Sequence, residues 1–126
     1  MELKNYTYQQ KIAILRVLID IINADGRIDE RETFLFEKLK KDFNLSEEDH
    51  KVALEKNSLL ALVQIKNLNE EQKNNLATMM SQMIIVDEDI NVNEVDIYNI
   101  VKDVCGIKEK FEDMIASDEH KKYSKS

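Results

Sequence analysis

The hydrophobic pattern of the chain opens with a long apolar segment. Nine of the eleven residues in 12–22 are apolar, and the two exceptions are Arg16 and Asp20. A helix that is apolar nearly all round belongs at the centre of a bundle. We therefore predict one central helix over about residues 7–24 and a second over about residues 70–86, where apolar residues again dominate.

Shorter helices with a single apolar stripe are predicted between and after these two. Leu35, Phe36, Leu39 and Phe43 recur at intervals of three and four, which is the spacing of one buried helical face. Helix starts are indicated where a capping residue is followed three residues later by an acid or amide. These pairs are Asp29 with Glu32, Ser46 with Asp49, Asn69 with Gln72, and Asn91 with Glu94. A further short helix is predicted within residues 57–68, and a helix end at Gly106.

The chain also repeats itself at a distance of 62 residues. When residues 10–48 are aligned without gaps on residues 72–110, eight of the 39 pairs are identical, whereas unrelated segments would give roughly two. The identical pairs are Gln10/Gln72, Lys11/Lys73, Ile22/Ile84, Asp25/Asp87, Ile28/Ile90, Glu32/Glu94, Lys40/Lys102 and Glu47/Glu109. Positions related by this shift are called repeat-equivalent below.

These patterns predict an all-α fold of about seven helices in a compact bundle with an internal pseudo-twofold repeat. We expect a single domain over residues 1–116 and a flexible tail over residues 117–126. The composition agrees, because the 126 residues include no proline and only two glycines, fewer turn-forming residues than sheet-rich folds usually contain.

Charge and cysteine content narrow the partners and the compartment. The formal net charge of −7 repels nucleic-acid phosphates and favours cations or a basic protein surface. The apolar run of residues 12–22 is too short and too charged to span a bilayer, which needs about 20 apolar residues, so no membrane insertion is expected. A single cysteine excludes an internal disulfide and fits a reducing compartment. We therefore predict a cytoplasmic protein with an unknown protein partner, as a monomer or a homodimer.

An acidic turn joins the two helices of each half. The candidate metal ligands are the acids of both turns, namely Asp25, Asp29, Glu32, Asp87, Asp89 and Glu94. Carboxylate oxygens suit hard divalent cations such as Ca²⁺, Mg²⁺ or Mn²⁺, and acids from both halves could share one ion if the turns meet. The alternative is that these acids only cap the helices that follow, because helix N-termini present free N–H groups and a positive dipole end.

Other candidate chemistry is sparse. The first turn nearly matches a calcium EF-hand loop, but Ile21 stands where the first ligand is required, so a working EF-hand is not expected. His50 and His120 have no ligand partners at a zinc spacing and are expected to be exposed. Cys105 precedes Gly106 at a helix end and is expected to be a small buried hydrophobe. No catalytic or cofactor-binding residue is indicated, and we expect no enzyme.

The first turn resembles that of the tellurite-resistance TerB-like family, which carries an ADG-x-I-x-x-x-E segment. Residues 24–32, ADGRIDERE, match it at every fixed position. Residues 86–94, VDEDINVNE, keep Asp, Ile and Glu but have Glu88 in place of glycine. We expect this change to affect only the tightness of the second turn, because Glu fits turns that do not demand a positive φ. Residues 101–107 are similar to the end of the family's penultimate helix.

The resemblance spans about residues 10–115 and implies an all-α domain of the kind found in bacterial stress and tellurite-resistance clusters. It implies acidic residues suspected of binding metal cations and no established enzymatic activity. The leading hypothesis is a stress-type interaction module with a candidate site for a divalent cation. The alternatives are a structural homodimerisation or adaptor domain without metal, since Phe34 and Phe36 cannot easily both face one core, and a metal-dependent hydrolase that uses the paired carboxylates.

Overall fold

The structure, a computed structural model, describes residues 3, 5–86 and 88–116, and within them it contains helices and no strands. The helices are α1 (Tyr8–Ile22), α2 (Glu30–Asp42), α3 (Glu47–Glu55), α4 (Ser58–Lys66), α5 (Glu70–Ile85) and α6 (Val92–Cys105), followed by α7 (111–116). The all-α class and the seven helices are therefore confirmed. The predicted tail, 117–126, lies outside the described residues.

Side-chain caps begin four of the helices, α2, α3, α5 and α6, at the positions that the sequence indicated. At the start of α3 the Ser46 hydroxyl accepts from the Asp49 amide at 3.3 Å, and the Asp49 carboxylate accepts from the Ser46 amide at 2.8 Å. The same reciprocal box joins Asn69 and Gln72 at the start of α5. Each box satisfies N–H groups that have no partner inside the helix.

The two long helices form the interior, as predicted. Helix α1 packs against each of the helices α2 to α6, and nine of its 15 residues are buried. Helix α5 also buries nine residues, among them Met79, Met80 and Met83, which have no exposed surface. None of the helices in the described part of the chain is both long and apolar enough to cross a membrane.

The two charged residues of the apolar run hold the joint between α3 and α4. Arg16 donates to the Leu54 carbonyl oxygen at 2.7 Å and to Asp20 at 2.5 Å, and Asp20 accepts from the Ser58 hydroxyl at 2.8 Å. The arginine thus satisfies a carbonyl at the end of α3 while the aspartate fixes the start of α4. Because the guanidinium and the carboxylate are paired with each other, both charges are tolerated on a largely buried helix.

Repeat-equivalent positions share rare backbone conformations. Gly26 and Glu88 have φ of +75° and +66°, and Asn44 and Gly106 have φ of +58° and +74°. In each half, therefore, a left-handed residue follows the long helix and another ends the second helix, where it turns the chain away from the helix axis. These local correspondences are observed; the pseudo-twofold relation between the complete halves stays a prediction.

Candidate functional site

The two acidic turns lie side by side at one end of the bundle. Arg27 of the first turn donates from Nη2 to Oδ2 of Asp89 in the second turn at 3.4 Å, and these two positions are repeat-equivalent. Asn93 Nδ2 donates to the Ala24 carbonyl oxygen at 3.3 Å. The ion pair is exposed, so it contributes little stability. Its importance is that it places the turns of the two halves in contact.

A depression of about 290 Å³ lies between these turns. It is lined by Asp25, Arg27, Ile28, Asp29, Arg31, Glu32 and Asp89. Four of the six predicted metal ligands therefore share one concave surface, and they come from both halves. Glu94 is buried in the first turn of α6, and Asp87 lies outside the described residues.

Hydrogen bonds within the first turn account for two of its acids. Asp25 accepts from the Arg27 amide at 2.9 Å, so it closes its own turn. The capping alternative had instead proposed that Asp25 bonds to the helix that follows. Asp29 is the N-cap of α2 and accepts from the Arg31 amide at 2.7 Å and from Arg31 Nε at 3.2 Å. Hydrogen bonds from Arg31 hold the pKa of Asp29 below its usual value. Both carboxylates are thus engaged in local structure.

The second turn requires a less common backbone conformation than its sequence indicated. Asn91 caps α6 by accepting from the Asn93 amide at 2.8 Å, as predicted. Glu88, however, has a φ of +66°, so the expectation that this turn does not demand a positive φ was wrong. The left-handed conformation costs an L-residue with a Cβ about 1–2 kcal/mol. This turn therefore carries backbone strain that glycine avoids in the first turn.

The two glutamates predicted as capping-box partners occupy buried positions. Glu32 in α2 and Glu94 in α6 are each 1 % exposed, and they are repeat-equivalent. Each lies in the first turn of its helix, where the positive end of the helix dipole favours a carboxylate. Identity across the repeat and the capping-box spacing were the signals in the sequence that set these two acids apart from their exposed neighbour Glu30.

The chemistry of the depression fits a divalent cation only in part. Hard cations prefer six or more oxygen ligands, and here two guanidinium groups already approach the acids, Arg27 at Asp89 and Arg31 at Asp29. Among the described residues, no three of the predicted ligands form a group whose ligand atoms all lie within 4.8 Å of one another. The metal-binding role of the six acids remains a prediction, and the guanidinium groups of Arg27 and Arg31 compete with a metal ion for two of them.

The three side chains that do form such a group are Glu37, Glu47 and His50, and they surround a lysine. Lys40 Nζ lies 2.9 Å from Glu37 Oε2, 2.5 Å from Glu47 Oε1 and 3.3 Å from His50 Nδ1. The Lys40 side chain is only 5 % exposed. An ammonium therefore occupies the centre of this cluster, where a metal ion would have to bind.

Electrostatics within this cluster agree with the geometry. Burial lowers the pKa of Lys40, but the hydrogen bonds that its ammonium donates to Glu47 and Glu37 outweigh this effect, so the pKa is raised overall. The same hydrogen bond from Lys40 lowers the pKa of Glu47. His50 is half-buried and its ring centroid lies 5.1 Å from that of Phe36, which corrects the expectation that it is exposed. His120 lies outside the described residues.

Exposed isoleucines stand beside the acids of the joined turns. Ile28 is 73 % exposed and its repeat-equivalent Ile90 is 48 % exposed. We call the surface formed by both turns the turn surface; it consists of Asp25, Arg27, Ile28, Asp29, Asp89 and Ile90. It combines apolar side chains with carboxylates at one end of the bundle, a mixture typical of protein-binding surfaces.

Comparisons with known proteins bear on the fold and not on this surface. No protein-family model matches the chain, and no curated protein matches it. The fold is similar to the crystal structure of a protein of unknown function from Porphyromonas gingivalis W83, with a TM-score of 0.71 and 20 % sequence identity, over 92 % of this chain and 98 % of that one. At this identity the similarity establishes the fold alone.

Proposed function

We propose that this domain is an interaction module of the TerB-like kind, which binds a basic protein partner through its turn surface. The observation that carries the proposal is the contact between Arg27 and Asp89, because it joins the two turns and their exposed isoleucines into one surface. A full copy of the motif and a weaker second copy, 62 residues apart in the sequence, thereby form one larger binding area.

Both chemical components of the turn surface support a basic partner with an apolar contact residue. Burial of a whole isoleucine side chain contributes about 1.5–3 kcal/mol, and Ile28 keeps 73 % of its surface available. The net charge of −7 attracts a basic partner over long range and accelerates its encounter. The lone Cys105 is buried and forms no disulfide within the chain, and in this proposal the domain acts in the reducing cytoplasm.

The test is affinity capture from the native cell with matched variants, quantified by mass spectrometry. We expect proteins of basic isoelectric point that bind the wild-type domain, elute with salt, and are lost from the double variant Ile28→Ser with Ile90→Ser. The control is Phe34→Ser, which removes an equally exposed apolar side chain, 76 % exposed, from α2. If the double variant retains every captured protein, the turn surface is not the binding surface.

A divalent cation at the same place is the second candidate, because Asp25, Asp29, Glu32 and Asp89 line one depression. Ca²⁺, Mg²⁺ and Mn²⁺ are to be titrated by calorimetry and by thermal melting. If an ion binds, the melting temperature should rise further as the ion concentration exceeds the dissociation constant by a larger factor. The double variant Asp25→Asn with Asp89→Asn should lose the effect, whereas Asp103→Asn on α6 should keep it. No shift at millimolar ion excludes this candidate.

A further inference from the structure

A second surface of the molecule is apolar without being part of the core. Residues 57–65 contain no charged side chain, although 34 % of the whole chain is charged. They include most of α4, which buries Ala61 and Ile65 against the bundle. On its outer side Leu59, Leu60 and Val63 are 73 %, 60 % and 58 % exposed. Helix α4 is therefore apolar on the side that faces solvent as well as on the side that faces the core.

Helix α6 extends this apolar surface. It packs beside α4, and the Cys105 thiol at its end donates to the Leu62 carbonyl oxygen at 3.4 Å. Ile100 and Val104 of α6 are 54 % and 49 % exposed. We call the surface formed by both helices the α4–α6 face; its exposed members are Leu59, Leu60, Val63, Ile100 and Val104.

A groove of about 460 Å³ runs between the two helices on this face. Leu59, Leu62, Ile97 and Ile100 form its sides, and Val17 of α1 lies below them. Its polar end is supplied by residues that are already paired with each other, since Arg16, Asp20 and Ser58 form the network that holds the joint between α3 and α4. The rest of the groove is lined largely by aliphatic side chains.

We infer that the α4–α6 face is the contact between two copies of this chain, related by a twofold axis. An isologous contact needs a surface that is complementary to itself. The α4–α6 face has both parts: exposed side chains that project from α4, Leu60 and Val63, and the groove between α4 and α6. A twofold axis perpendicular to α4 brings these side chains of each copy towards the other copy.

Charge favours a second copy over a charged partner. Two chains that each carry −7 repel each other, so they can meet only where little charge faces the contact. The α4–α6 face offers this, because the uncharged stretch of α4 is bordered by charges of both signs, Lys66 at the end of α4 and Asp103 on α6. A basic partner finds its complementary carboxylates on the turn surface instead, and the present inference does not depend on that surface.

The test is the mass of the full chain in solution, measured by sedimentation between about 1 and 300 µM, a range chosen to include the micromolar association that small interfaces give. We expect the mass to rise with concentration from 14.8 kDa to twice that value. Leu60→Glu places like charges opposite each other across the twofold axis, and Val63→Glu does so at a neighbouring position. Each is expected to raise the dissociation constant about 100-fold or more.

The matched control is Phe34→Glu, which adds the same charge at a similarly exposed position on α2, 76 % exposed against 60 % for Leu60. Far-ultraviolet circular dichroism verifies that every variant is folded. A dimer that is lost in both α4 variants and kept in the control supports the inference. A strict monomer at every concentration overturns it, and so does a dimer that Phe34→Glu abolishes while the α4 variants retain it.

Discussion

Replacement of Glu88 by glycine is expected to stabilise the protein, although it removes a side chain. Glu88 follows α5 with a φ of +66°, a conformation that costs a residue with a Cβ about 1–2 kcal/mol. Glycine avoids this cost but loses more backbone entropy on folding, about 0.5–1 kcal/mol. We therefore expect Glu88→Gly to raise the free energy of unfolding by about 0.5–1 kcal/mol.

The repeat supplies the reciprocal experiment. Gly26, the repeat-equivalent residue, has a φ of +75° and no atom within 4 Å of a Cβ built on it. A side chain there has room, so Gly26→Glu changes the backbone energy without a steric clash. We expect a loss of about 0.5–1 kcal/mol. The two substitutions exchange the same pair of residues in opposite directions and should change stability with opposite signs.

Urea denaturation followed by circular dichroism at 222 nm measures both effects. A change of about 1 kcal/mol also moves the melting temperature of a domain of this size by about 3–5 °C. Glu88→Gln is the control for charge, because it keeps the Cβ and the strained φ and should stay within about 0.5 kcal/mol of wild type. If Glu88→Gly is no more stable than Glu88→Gln, backbone strain is not what distinguishes the two turns.

Three further predictions follow from individual contacts. Tyr98→Phe removes the hydrogen bond from the buried phenol to the Glu109 carbonyl oxygen, 2.7 Å long, and should cost about 1–1.5 kcal/mol in urea denaturation; an unchanged midpoint would contradict this. Lys40→Ala empties the centre of its cluster, so calorimetry should detect Zn²⁺ binding in the variant and none there in wild type; zinc binding by the wild-type cluster would be the contrary result. The Ser46 amide holds the pKa of Asp49 below its usual value. That carboxylate therefore stabilises the fold above its unfolded pKa of about 3.9, and the contribution disappears as the pH falls through the lower folded value. Asp49→Asn should flatten the loss of stability between pH 6 and pH 2, and equal slopes for both proteins would refute the assignment.

The positions of the helices were predictable because their determinants are local. A cap such as Ser46 needs only an amide two or three residues further on, and it acts in the same way in almost any surroundings. The apolar run of residues 12–22 likewise identified α1 as interior, since a helix that is apolar nearly all round has no side suited to water. These features are set by neighbours in the sequence, so the sequence alone was sufficient for them.

The candidate site was predictable only as two separate halves. The repeat indicated two equivalent acidic turns and hence a set of acids, but it gave no indication that Arg27 pairs with Asp89 across the two halves. The sequence also contained no sign of the strained φ of Glu88. Glycine in the first turn does not reveal whether the second turn needs glycine too. The ion-binding and partner-binding roles of the turns remain predictions.

What the sequence determined by itself was the set of helices, their caps and the acidic character of the joined turns. What only the tertiary structure decided was which side chains meet: Arg16 with the end of α3, the groove beside α4, and the cluster around Lys40. The physical reason is that periodicity specifies which face of a helix is buried but not which element covers it. That choice depends on how all the helices pack together, and the outer side of α4 shows that an apolar face can also remain uncovered by its own chain.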